Sequence, residues 1–116
     1  MWRTEWPCHA ARLSARRPYA EGVLAITRYC IAAQDADGFA AAADAALAVL
    51  AQRPGFVDGF LGRNLDDPLL WTLTTRWRDT GSYRRALSSF EVKAVAVPLL
   101  SRAIDEPTAY EVALAR

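Results

Sequence analysis

PGFVDGFLGRNLDDPLLWTLTTRWRDTGSY, residues 54–83, decides how this chain folds. From Gly55 to Leu65 the residues alternate, with Phe56, Asp58, Phe60, Gly62 and Asn64 against Val57, Gly59, Leu61, Arg63 and Leu65. From Leu69 to Trp77 they alternate again, with Leu69, Trp71, Leu73, Thr75 and Trp77 against Leu70, Thr72, Thr74 and Arg76. Aromatic and β-branched side chains on a period of two suit a pleated surface, so both runs read as strands. Asp66-Asp67-Pro68 separates them and is a turn signal: aspartates bond nearby backbone, and the proline keeps Asp67 out of the helical region. After Trp77, Asp79 or Thr80 is placed to cap a helix that carries Tyr83 inward.

Upstream of this hairpin, Val23–Ile31 reads as a strand that is apolar on both parities, and Cys30 within it reads as a small buried thiol. Asp35, Ala36, Asp37 and Gly38 form a loop, with either aspartate able to cap the next helix. That helix, Phe39–Gln52, is the clearest in the chain, its stripe made by Phe39, Ala43, Ala46, Leu47 and Leu50. Arg53-Pro54-Gly55 ends it. Downstream, a helix over Asp79–Ser89 points Tyr83, Leu87 and Phe90 inward and Arg84 and Arg85 outward. Glu91–Ala103 reads as further helix in which Pro98 forces a kink or a new first turn. Thr108–Leu114 alternates once more and gives a last strand. Residues 1–22, with Pro7, Pro18 and the chain's one histidine, His9, share none of this patterning and read as a flexible tail. The domain is expected over 23–116.

With 116 residues and 53% hydrophobic content there is room for one well-packed domain. The 14 basic and 13 acidic residues balance, which argues against a nucleic-acid binder. Cys8 and Cys30 have no metal-ligand spacing, and no apolar run reaches the ~18 residues of a membrane span. The N-terminal stretch lacks the apolar centre of a secretory signal, so a cytoplasmic location is expected.

The element order β-α-β-β-α-β is that of the ferredoxin-like α+β fold: a four-stranded antiparallel sheet with both helices on one face. The other face is left open. With apolar groups on both parities of the first two strands, it is expected to be covered by a second copy, giving a homodimer with a barrel-like core.

With that order, three features carry a resemblance to the antibiotic biosynthesis monooxygenase family, the dimeric α+β barrel proteins. They are Arg53-Pro54-Gly55-Phe56, a third strand closing on Trp77, and the W-x-D-x-x-S-Y pattern of Trp77, Asp79, Ser82 and Tyr83. The resemblance covers roughly residues 23–113. It implies a cofactor-independent oxygenase that uses O₂ on a flat phenolic, quinol or polyketide-like substrate, without metal. Trp77 and Tyr83 match the tryptophan and tyrosine lining the family's cleft and are the expected catalytic pair, with Tyr83 as a proton relay. Trp71 would extend one aromatic wall, Asn64 would bind a substrate oxygen, and Arg28 and Arg76 would supply charge to an anionic intermediate. There are departures as well. Leu73 stands where polyketide-oxidising members have asparagine, and the region of Val97 offers no arginine. Glu91–Leu100 holds no histidine, which disfavours the haem-degrading branch. The alternatives are a non-catalytic module that binds a small aromatic molecule or dimerises, and an isomerase or cyclase that needs no oxygen.

Overall fold

The computed structural model describes residues 22–116, so the expected tail lies, apart from Gly22, outside the described residues. Strand β1 spans Val23–Cys30, and a single 3-10 turn, Ala33–Asp35, leads into helix α1, Ala36–Ala51. Strands β2, Phe56–Arg63, and β3, Leu70–Trp77, form the central hairpin. Helix α2 covers Thr80–Ser88, α3 Phe90–Val95 and α4 Val97–Leu100, and β4 is the short strand Ala109–Glu111. The strands lie in the order β2-β3-β1-β4, each pair antiparallel. This is the ferredoxin-like arrangement expected from the element order.

The hairpin is built as its residues dictate. Trp77 pairs with Phe56 and Leu73 with Leu61, with a bulge between Phe56 and Asp58. At the turn the Asn64 Oδ1 accepts hydrogen bonds from the backbone N–H of Asp66 and of Asp67, both at 2.8 Å. Asp67 Oδ1 accepts from Leu69 N at 3.1 Å, so the side chains replace the ladder where the strands part. Gly59 lets α1 close on the sheet: a Cβ there would meet Leu47 Cδ2 at 2.7 Å and Thr75 Cγ2 at 3.2 Å.

Alternation sorts the sheet into two faces. Val23, Ala25, Thr27 and Tyr29 of β1 and Leu73, Thr75 and Trp77 of β3 are buried under the helices. Phe39, Ala43, Ala46 and Leu50 of α1 meet them, as the stripe in the sequence predicts. Two aromatic clusters mark the ends of this layer. Tyr29, Phe39 and Trp71 pack at one end with centroid separations of 4.9 and 5.5 Å. Phe56, Trp77 and Tyr83 pack at the other with separations of 5.3 and 5.8 Å.

Several local expectations are corrected. Cys30 is exposed: it shares its parity with Leu24, Ile26 and Arg28 and points to the open face at the strand's end. Phe90 is 83% exposed, because Ser89 adopts an extended conformation and breaks the helix. The Ser89 hydroxyl then accepts from Val92 N and starts α3, which puts Val92 inside in place of Phe90. The expected break at Pro98 is present: it stands in the first turn of α4, where its missing N–H costs no hydrogen bond. Asp35 stands at the start of α1 without a side-chain cap, since the 3-10 turn already leads in. Asp79 does cap α2: its carboxylate accepts from Ser82 N at 2.7 Å, and that bond is the first cause of its lowered pKa.

The open face is more mixed than a purely apolar one. Leu24, Ile26 and Phe60, 58% exposed, share it with Thr72, Thr74 and the Arg76–Asp58 ion pair. Tyr110 of β4 lies opposite Leu24 and is half-exposed.

Candidate functional site

Between the two aromatic clusters the buried layer uses small side chains, and a cavity of about 330 Å³ opens there. Its floor is the sheet: Ala25 and Thr27 from β1, Leu73 and Thr75 from β3. Its roof is helical, with Leu50 from α1, Tyr83 and Leu87 from α2, and Val97 and Leu100 from α4. Ser101 and Thr108, flanking the connection to β4, complete the wall. Among the described residues, no side chain lining it is a carboxylate, an ammonium, a guanidinium or an imidazole. The polar groups are hydroxyls.

Those hydroxyls are held by defined hydrogen bonds. Thr27 Oγ1 donates to the Leu73 carbonyl at 3.3 Å and so accepts the Tyr29 phenol proton at 2.8 Å. Thr75 Oγ1 accepts from the Trp77 indole N–H at 2.8 Å. Ser101 Oγ donates to the Pro98 carbonyl at 2.9 Å. The Tyr83 phenol is pushed above its ordinary pKa of 10.0, first by burial, with the neighbouring Thr108 hydroxyl acting in the opposite sense. Tyr83 is therefore a neutral phenol at physiological pH, able to donate a hydrogen bond and poorly suited to act as a base. Tyr29 is raised likewise, by burial first.

The residues singled out in the sequence fall in different places. Tyr83 lines the cavity. Trp77 does not: it is 1% exposed, packs edge-on to Phe56, and reaches the site through Thr75, its hydrogen-bond partner, and Tyr83, its ring neighbour. Trp71 belongs to the far cluster, where the Arg63 guanidinium lies 4.6 Å from its ring. Trp71, Asn64 and Arg28 line a second groove, of about 320 Å³, around Gly62. The Asn64 amide oxygen there holds the turn. Arg28 is clasped by Glu106 through two hydrogen bonds of 2.7 Å, the main cause of that carboxylate's lowered pKa. Arg76 Nε donates to Asp58 at 2.6 Å on the open face. So the structure brings Tyr83 to the central cavity and leaves Trp71, Asn64, Arg28 and Arg76 outside it.

Sequence reasoning does not single out Thr27, Thr75, Ser101 or Thr108 as site residues. A signal exists for Thr75, which shares the parity of Trp71, Leu73 and Trp77 and must face the helices with them. Among the described residues there is no cluster of histidine, cysteine and carboxylate groups able to hold a metal ion. No helix among them is long and apolar enough to cross a membrane.

A family model described as antibiotic biosynthesis monooxygenase matches residues 22–97. Among solved structures, the chain is similar to SnoaB, a cofactor-independent oxygenase from Streptomyces nogalater. That likeness has 24% identity and a TM-score of 0.67, over 84% of this chain and 96% of the other. It is also similar to a conserved protein from Methanosarcina mazei, with 20% identity and a TM-score of 0.67, over 80% of this chain and 94% of the other. At these identities the likenesses speak to the fold. A comparison with curated proteins finds no match.

Proposed function

The chain belongs to the antibiotic biosynthesis monooxygenase family, and from that premise we propose that its cavity oxidises a flat phenolic, quinol or polyketide-like ring with O₂. The observation that carries the reading is the cavity: apolar, roofed by three helices and, among the described residues, furnished with neutral hydroxyl groups around Tyr83. Among the described residues, such a site offers no charged side chain as base or electrophile. A substrate handled there has to bring its own acidity and its own electrons. Electron-rich phenols and anthrones do both, because loss of a proton gives an anion that passes electrons directly to O₂.

For an anthrone-like methylene the balance closes without a further reductant. Both C–H bonds break and a C=O bond forms with one oxygen atom. Water carries off the second oxygen with both hydrogens, and the ring carbon supplies all the electrons that O₂ takes up. In this scheme the roof and floor hold the ring flat, Tyr83 donates a hydrogen bond to the oxyanion, and Trp77 braces Thr75 from the end of the floor. Turnover with an anthrone under isotopically heavy O₂ tests the reading: one heavy oxygen atom is expected in the product ketone. A product that forms equally under nitrogen would sink it in favour of isomerase or cyclase chemistry.

A non-catalytic reading keeps one argument of its own. Leu73 occupies the cavity floor where polyketide-oxidising members carry asparagine, which removes a polar group from the site. Under that reading flat aromatic ligands quench tryptophan fluorescence and are recovered unchanged.

We also propose that two copies pair through their open sheet faces. Leu24, Ile26, Phe60 and Tyr110 give that face an apolar contact surface, and Arg76–Asp58 is a ready-made internal pair within it. Light scattering should return twice the chain mass for the wild type and the single-chain mass for Ile26→Arg. A wild-type monomer at micromolar concentration contradicts the pairing.

A further inference from the structure

The cavity hydroxyls differ in what they have left to offer a ligand. A hydroxyl has one proton and two lone pairs, and an indole N–H can only donate. Thr27 spends its proton on the Leu73 carbonyl and one lone pair on Tyr29, so it can only accept from a ligand. Ser101 spends its proton on the Pro98 carbonyl. Thr75 is the reverse case. Trp77 donates to its oxygen at 2.8 Å, so the bond uses a lone pair and leaves the proton. Among the described residues that hydroxyl donates no hydrogen bond. Thr75 is only 4% exposed, yet its side chain lines the cavity. A buried donor without an acceptor is costly, and a ligand oxygen in the cavity would satisfy it.

We infer that Thr75 is a specificity-determining residue, a hydrogen-bond donor on the cavity floor that selects substrates carrying a carbonyl or phenolate oxygen at that point. Trp77 aims it: the indole fixes the rotamer of the hydroxyl and polarises it, so that the remaining proton points away from the indole. The floor then presents a donor at Thr75 and an acceptor at Thr27. The two lie diagonally across β1 and β3, since Ala25 faces Thr75 and Thr27 faces Leu73 in the ladder. A flat ring bearing both a ketone and a hydroxyl group satisfies the two together. This deepens the oxygenase reading and rests on it for the substrate class, while the hydrogen-bond accounting stands on the structure.

The test uses the full-length protein and a hydroxyanthraquinone dye whose visible band shifts when its phenol ionises. A donor to the dye's oxyanion lowers its pKa in the bound state. Thr75→Val, which keeps the shape and removes the hydroxyl, is expected to raise the bound dye's pKa by about one unit, a tenfold loss of anion at fixed pH. Thr75→Ser is expected to restore it, which separates hydrogen bonding from any loss of packing. An unchanged dye pKa in Thr75→Val, or a Ser variant that behaves like Val, overturns the inference. So does failure of the wild type to take up the dye. Oxygen consumption by the wild type is read separately, so loss of this inference and loss of the oxygenase reading give different results.

Discussion

Tyr83→Phe is expected to lower metal-free oxygen consumption about a hundredfold while leaving the fold in place. In an apolar cavity, one preorganised donor to a developing oxyanion is worth about 10²–10³ in rate. Tyr83 is the phenol that lines the cavity, and burial keeps it protonated. Phenylalanine preserves the ring that stands 5.8 Å from Trp77, so the core loses an oxygen atom and little packing. The loss should fall on kcat with KM nearly unchanged, because the bond strengthens as charge develops on the substrate. Since the Tyr83 pKa is raised above 10.0, the phenol stays neutral through the physiological range, and its contribution is lost only as pH climbs past that value. Between about pH 6 and 9 the rate should therefore rise with the substrate's own ionisation. Equal initial rates for Tyr83→Phe and wild type would remove Tyr83 from the chemistry.

The second large effect is on stability. Gly55→Val is expected to lower the melting temperature by about ten degrees or more, as followed by circular dichroism. Gly55 has φ +91°, a conformation open to glycine and strained for a branched side chain. A Cβ at this position would also overlap the Ser82 side chain, which is buried at the start of α2. Left-handed strain of roughly 1–2 kcal/mol and overpacking of roughly 1–3 kcal/mol combine here. For a domain of this size each kcal/mol shifts the midpoint by about 4–8 °C. The same backbone unit anchors the end of the hairpin, with Arg78 N donating to the Gly55 carbonyl at 2.7 Å. Gly38→Ala is the contrasting change: Gly38 lies within α1, a Cβ there meets nothing within 4 Å, and a gain of about 0.5–1 kcal/mol is expected. A Gly55→Val midpoint within a few degrees of wild type would show that the β2 entry can shift freely.

Much of this architecture is legible in the sequence because it comes from periodicity. The alternations through Trp71–Trp77 and the stripe through Phe39–Leu50 each have a single physical solution, and both faces emerge as read. Where the reading fails, a local conformation overrides the period. Continuing the α2 stripe to Phe90 assumes an unbroken helix, whereas one extended residue, Ser89, resets the phase. Cys30 reads as core by composition and lies on the open face by parity. The site is harder to see, because aromatic residues draw attention while the floor of the cavity is made where they are absent. Ala25, Thr27 and Thr75 make space between two aromatic clusters, and threonine in a strand is common enough to pass as filler. Asn64 and Arg28 are conspicuous as polar residues near strands. Partners that the sequence cannot reveal, the turn amides and Glu106, hold both.

On the proposed reading, a substrate anion held in the cavity passes its electrons directly to O₂. The most direct measurement is oxygen uptake by chelator-treated protein across a panel of anthrones and quinols, set against the autoxidation blank. Uptake that is well above the blank, unaffected by the chelator and lost in Tyr83→Phe is the predicted result. Uptake no faster than the blank for every compound, while the same compounds quench tryptophan fluorescence, would contradict it and leave a binding protein.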